Sequence, residues 1–191
     1  MRNNYYITTP IYYVNDKPHI GHAYTSIACD IMARFKRLDG YNVKFLTGTD
    51  EHGQKVEKAA LAQNKTPLEY ADVISKDFRA LTKTLNLSND DFIRTTEKRH
   101  KIASENLWKK LFDNNHIYLS KYSGWYALRD EAFYSEKEIT NGKAPTGAEV
   151  TWVEEESYFF DLSKWQDQLL NFYDENPTFI YPISRMNEVK S

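Results

Sequence analysis

The sequence predicts an α/β fold in which a parallel sheet opens the chain and a β-rich segment follows it. Two observations carry this reading. Two β-branched and aromatic runs, residues 5–9 and 41–47, are separated by a stretch with helical spacing, which is the pattern of a strand–helix–strand unit with a right-handed crossover. Beyond about Asn115 the composition changes: Tyr118, Tyr122, Trp125, Tyr126, Phe133 and Tyr134 crowd together, and nine acids against two lysines lie between Asp130 and Asp161. The chain is therefore divided into residues 1–115 and 116–191.

Taken in order, residues 5–9 form the first strand, closed by Pro10, which has no N–H to offer a ladder. Residues 11–18 read as a loop in which Asn15 and Asp16 are turn formers. From Ile20 onward Ile20, Tyr24, Ile27, Ile31, Phe35 and Leu38 recur every three or four positions, predicting a helix with one buried stripe, and Asp39–Gly40 ends it. Residues 41–47 are the second strand. Thr66, Pro67 and Glu69 supply an N-cap, a first-turn proline and a capping-box acid for a helix whose stripe is Tyr70, Ile74, Phe78, Leu81 and Leu85. Residues 91–94 read as a short strand. Residues 97–113 read as a helix with Ala103, Leu107, Trp108, Leu111 and Phe112 inward. In the second region residues 140–147 are a turn-rich loop, 150–160 a strand and 162–173 a helix. Residues 184–191 look like an opening helix without a C-cap, so the chain is expected to be truncated or to continue.

Composition narrows the function classes. The chain has 191 residues, 41% hydrophobic and 15% aromatic, enough to bury a core. The single cysteine, Cys29, excludes an internal disulfide and a Cys-paired zinc knuckle within the chain. No apolar run approaches the roughly 20 residues of a membrane span, and Met1–Asn4 leads into a Tyr-rich stretch rather than a signal-peptide core. A reducing, cytoplasmic setting is the expectation. With 27 acids, 25 lysines and arginines and a net charge of −2, nucleic-acid binding by bulk electrostatics alone is disfavoured, while a local basic patch stays open. Oligomeric state is not readable.

Open parallel sheets bind ligands beyond the carboxyl ends of their strands, which points at residues 10–22 and 48–53. The first holds Pro18-His19-Ile20-Gly21-His22 at a helix start. Free N–H groups and the positive dipole end suit a phosphate, and two imidazoles add donors; Gly21 allows a flat ring to approach the backbone. The alternative is two surface histidines beside a cap. The second segment holds Thr47-Gly48-Thr49-Asp50-Glu51-His52-Gly53. Asp50 can hold an ammonium group, or else cap a helix over residues 53–63. Asp50, Glu51, His52, His19 and His22 are zinc-type ligands, but consecutive positions do not put three on one face, so no metal site is expected.

The string YYITTPIYYVNDKPHIGHAYT, followed by GYNVKFLTGTDEHGQKVEKAA, resembles the start of a methionyl-tRNA synthetase, a class I aminoacyl-tRNA synthetase. His19-Ile20-Gly21-His22 matches the HIGH signature. Related nucleotidylyltransferases carry a similar H-x-G-H, and the added TTPIYY and GTDEHG make the resemblance specific. Relatives for isoleucine, valine and leucine usually show Gly-Trp-Asp where this chain has Gly48-Thr49-Asp50. The likeness runs on through YSGWYALRDEAFYSEKEI and EEESYFFDLSKW, so it covers essentially the whole chain.

The resemblance implies the first half of a Rossmann-like parallel-sheet catalytic domain, residues 1–115, and part of a β-rich connective insert, residues 116–191. It implies a methionine–tRNA ligase, which activates methionine with ATP and Mg2+ to methionyl-adenylate and passes the acyl group to the 3′ end of tRNA(Met). By the same match His19 and His22 are catalytic and, with Gly21, bind ATP. Ile11, Tyr13 and Asp50 bind methionine, although Ile11 and Tyr13 also read as ordinary core. Glu51 and His52 belong to the site by the same match, His52 at a motif position, without a specific role assigned to either. The KMSKS loop, the second half of the nucleotide fold and the anticodon-binding domain are absent from this chain, which is expected to be inactive alone. Many relatives carry Cys-based zinc knuckles; residues 140–147 have no Cys, and no structural zinc is expected. The aromatic residues of the insert read as core packing or as a stacking platform for the tRNA acceptor end, the latter opposed by acidic surroundings. Two other readings are another H-x-G-H nucleotidylyltransferase, and a truncated, non-catalytic paralogue serving as a binding module.

Overall fold

A computed structural model describes residues 3–191 of the chain; the expectation for Met1 and Arg2 lies outside them. The chain divides into two compact units, the first ending at Asn106 and the second spanning Leu107–Ser191.

In the first unit β1 (Asn4–Thr8) and a two-residue β2 (Tyr12–Tyr13) run along one edge of β3 (Asn42–Asp50), and β4 (Asp91–Arg94) runs along the other, all parallel. The expected loop over 11–18 thus contains a strand. Asn4 pairs with Asn42 but Tyr12 with Thr49, so the offset falls from 38 to 37 and one extra residue lies between β1 and β2. Pro10, lacking a donor, sits in that interruption. The central strand also runs further than residues 41–47, through Gly48 to Asp50. Gly48 permits this: a Cβ there would strike the Ile93 carbonyl and side chain of β4.

The helix α1 (Ile20–Leu38) has the expected bounds but the opposite face inward. Ala23, Ser26, Asp30 and Ala33 are buried, whereas Ile20 is 85% and Leu38 89% exposed, and Tyr24, Ile27, Ile31 and Phe35 are exposed with them. Periodicity reports a continuous stripe, not what lies against it. Small side chains let α1 approach closely, and its buried polar residues are spent on bonds. Ser26 Oγ lies 2.7 Å from the Tyr12 hydroxyl, and Asp30 Oδ1 accepts from Ser88 N–H and Oγ at 2.6 Å each.

The helices α2 (Gln54–Leu61) and α3 (Pro67–Thr84) close the core. That core holds Tyr12, Val14, Val56, Tyr70, Ile74, Phe78 and Phe92. Full burial of a side chain such as Phe78 contributes about 1.5–3 kcal/mol. The Thr66–Glu69 capping box forms in both directions: Glu69 N–H donates to Thr66 Oγ1 at 3.3 Å and Thr66 N–H to Glu69 Oε2 at 2.9 Å. Such a cap is worth about 0.5–2 kcal/mol. Leu81 and Leu85, expected in this stripe, are only half-buried.

The next helix, α4 (Lys98–Asp113), buries none of its residues fully; of its expected inward set only Leu111 is half-buried. In the second unit β5 (Ile117–Ala127) is flanked by β6 (Ala132–Tyr134) and β7 (Thr151–Phe160), all antiparallel. The aromatics form cross-strand pairs rather than one sealed core. Tyr118 stacks on Phe159 with centroids 5.9 Å apart, Tyr126 lies 4.8 Å from Phe133, and Trp125 meets Trp152 edge-on at 5.3 Å. Phe133, Trp152, Tyr158 and Phe160 stay substantially exposed, because alternation along the strands spreads the rings over both faces. The helix expected over 162–173 starts as a short 3-10 helix, Leu162–Trp165, continues as α5 (Gln166–Glu175), and is followed by α6 (Ile183–Lys190).

The turn-rich loop is held by polar bonds around Asp130. The Thr146 and Tyr134 hydroxyls both donate to Asp130 Oδ2, and Arg129 Nη2 donates to the Thr146 carbonyl at 2.6 Å. Among the described residues no group of three His, Cys, Asp or Glu side chains is placed to hold a metal ion. No described helix is long and apolar enough to cross a membrane.

Candidate active site

The two histidines build the start of α1 with their own rings. His19 is the N-cap; its Nδ1 accepts the Gly21 N–H at 3.1 Å, and His22 Nδ1 accepts the His19 N–H at 3.0 Å. This is a capping box made of imidazoles. The rings stack with centroids 3.8 Å apart. An Nδ1 that accepts a hydrogen bond carries no proton, so the bond pattern assigns the ring proton to Nε2 in each. Both Nε2–H groups are left as donors. Burial lowers the His22 pKa, and repulsion from His19 lowers it further. Gly21 has an intramolecular role as well as an expected ligand role: a Cβ there would press on the His19 ring at 3.0 Å.

The second segment reaches the same end of the sheet through Tyr12. Tyr12 pairs with Thr49 and Tyr13 with Asp50. The Tyr12 ring lies 4.8 Å from the His22 ring, and its hydroxyl donates to the His22 carbonyl at 3.3 Å. The imidazoles and Asp50 therefore lie at the carboxyl ends of neighbouring parallel strands.

Asp50 is the last residue of β3, half-buried, and its side chain has no hydrogen-bond or ion-pair partner among the described residues. It does not cap α2, whose N-cap is Gly53 with no side-chain bond. Gly53 has φ +106°, and a Cβ on it would run into the Tyr13 hydroxyl, so Tyr13 lies directly over this turn. Tyr13 is half-buried beside the core and Ile11 is 43% exposed, so Ile11 is not ordinary core. His52 is exposed, with Nε2 3.3 Å from the Thr95 carbonyl. Glu51, next to Asp50, is only 3% exposed. Besides Thr49, two positions away, its partners Arg94, Thr95 and Thr96 lie more than forty positions along the chain. Nothing local in the sequence marks them; only the β3–β4 register brings them in.

Two imidazoles at a helix start and a carboxylate at the adjoining strand end stand together at the carboxyl edge of a parallel sheet, in a chain of the α/β class. Residues 5–149 match the family model described as tRNA synthetases class I (M). The chain belongs to this family. Its relatives include the methionine–tRNA ligase of Rickettsia felis, 66% identical over 192 residues, covering all of this chain and 38% of that protein. The methionine–tRNA ligase of Bacillus subtilis is 54% identical and covers 98% of this chain and 30% of that protein. Among solved structures, the Mycobacterium tuberculosis methionyl-tRNA synthetase in complex with methionyl-adenylate matches with a TM-score of 0.91 at 50% identity, over 98% of this chain and 38% of that one. The apo form of the same enzyme matches with a TM-score of 0.73 at 47% identity. The chain thus spans between 30% and 38% of the length of these relatives.

Proposed function

We propose that this chain carries the histidine-signature half of a methionine–tRNA ligase active site. In the native polypeptide that contains it, methionine is activated with ATP and then transferred to tRNA(Met). The observation that carries this reading is the free Asp50 carboxylate at the strand end beside the His19–His22 pair.

The chemistry follows from those groups. The α-carboxylate of an amino acid is ionised at neutral pH, so attack on the α-phosphorus needs no general base. A carboxylate oxygen forms the new bond to phosphorus as the bond to the pyrophosphate oxygen breaks, and Mg2+ enters with ATP as part of the substrate. Positioning and charge stabilisation are what remain for the protein to supply. The Nε2–H groups of His19 and His22 donate to phosphate oxygens as charge develops. Gly21 leaves room for the adenine. Asp50 holds the substrate ammonium, and Ile11 and Tyr13 line the side of the pocket that receives the thioether, whose polarizable sulfur suits an aliphatic and an aromatic wall. The cytoplasm is the compartment proposed for this activity.

Exchange of labelled pyrophosphate into ATP by the native polypeptide is the test. Exchange dependent on methionine and on no other amino acid is expected; exchange indifferent to methionine would overturn the reading. Asp50→Ala is expected to weaken methionine binding by about 2–5 kcal/mol, the range for removing one partner of a buried charge pair. Unchanged affinity by calorimetry would mean that the ammonium is held elsewhere.

A further inference from the structure

Because the Asp50 side chain has no partner among the described residues, the backbone that carries it sets its direction. That backbone is fixed on both sides. The Asp50 carbonyl accepts the Val14 N–H at 3.2 Å. The next residue, Glu51, turns into a buried polar hub. Its N–H donates to Thr95 Oγ1 at 2.9 Å, and the Thr95 N–H returns to the Thr49 carbonyl at 3.3 Å. Glu51 Oε1 accepts from Thr49 Oγ1 and from Arg94 Nε, each at 2.7 Å, and Oε2 accepts from Thr96 Oγ1 at 2.5 Å. Arg94 then reaches α3, where Nη2 lies 2.6 Å from Asp72 Oδ1. That contact lacks hydrogen-bond alignment, so it is an ion pair only.

The Glu51 side chain is fully buried and Arg94 is 18% exposed. A buried ion pair of this kind is weak evidence for stability, since a well-packed apolar replacement is often as stable. Here the hub adjoins Asp50, whose carboxylate has no partner among the described residues. The Glu51 hydrogen bond raises the Arg94 pKa against the opposing effect of burial, so the guanidinium stays charged.

We propose that Arg94 is a positioning residue: by tying Glu51 to Asp72 it fixes the end of β3 so that the Asp50 carboxylate faces the ammonium group of the amino-acid substrate. This rests on Asp50 holding that ammonium. An arginine suits this place because one planar group donates to Glu51 through Nε and sets the charged Nη2 beside Asp72. A lysine ammonium is a point charge and cannot keep both directions. The effect belongs to the amino group alone, so it separates substrates that carry the group from analogues that lack it.

The experiment uses the native polypeptide with Arg94→Lys, the neutral pair Glu51→Gln with Arg94→Gln, and Asp50→Asn. Three quantities are read: KM for methionine and for ATP in pyrophosphate exchange, the inhibition constant of 4-(methylthio)butanoate, which is methionine without its amino group, and the melting temperature. Arg94→Lys is expected to raise the methionine KM about tenfold or more, the size of effect that a misplaced positioning group produces. The ATP KM and the inhibition constant of the des-amino acid should stay within about twofold. Parallel weakening of methionine and its des-amino analogue would mean general collapse of the pocket and would overturn the proposal, as would an unchanged methionine KM. If Arg94→Lys does not fold, the neutral Gln pair carries no unpaired buried charge and must show the same split. Asp50→Asn separates the two readings. If it raises the methionine KM while the Arg94 variants do not, only the positioning role falls; if it too has no effect, the assignment of Asp50 falls with it.

Discussion

Asp50 and Glu51 are adjacent acids with opposite surroundings: Asp50 ends β3 half-buried, and the chain just beyond it carries Glu51 into a buried polar cluster. Glu51 meets three side-chain donors and Asp50 meets none among the described residues. In His19 and His22 one ring nitrogen, Nδ1, holds the helix start, while Nε2 has no hydrogen-bond partner among the described residues and, in the function proposed above, meets the phosphates. The two duties are separable by substitution. Asn places an acceptor near the Nδ1 position and Gln places a donor near Nε2. His22→Gln is therefore expected to retain more adenylate formation, and His22→Asn more stability, with His22→Asn slowing the step by about 10²–10³, as for loss of one transition-state donor. Single-turnover rates and denaturant midpoints check both. The His22 pKa is lower in the folded state than the usual value of about 6.5. Below that value the unfolded chain takes up the proton more readily, so stability falls as pH drops through about 6.5 toward the folded pKa. In His22→Asn this part of the pH dependence should vanish.

At the scale of elements, what was legible depended on how local the cause was. The Thr66–Glu69 cap and the bounds of α1 follow from neighbouring residues, and both stand in the structure. The inward face of α1 depends on what packs against it, and a stripe of large apolar residues gave the wrong side. The length of β3 depended on β4, a strand more than forty residues later, whose approach requires Gly48. The candidate site divides in the same way: His19, His22 and Asp50 stand in short recognisable strings, while Arg94 is visible only through register. Gly48→Ala is expected to destabilise the first unit by about 1–3 kcal/mol, the usual cost of overpacking, because the Ile93 carbonyl is rigid ladder backbone. A midpoint unchanged in urea would show that β3 and β4 can part without loss.

At the scale of the molecule, the first unit carries its core on one side of α1 and a row of large apolar side chains on the other. Ile20, Tyr24, Ile31, Phe35 and Leu38 are all more than half exposed. A contiguous surface of this kind favours association in water. The 191-residue polypeptide by itself is expected to elute larger than a monomer and to bind an apolar dye, and Ile31→Glu with Phe35→Lys should reduce both; light scattering that finds a monomer in the unchanged chain would contradict this. The same row has a consequence for synthesis. Residues 20–38 leave the ribosome before α2, α3 and β4 exist, so the nascent chain emerges adhesive along that helix long before translation has delivered the rest of its core, and the pace of elongation sets how long it must stay apart from its neighbours.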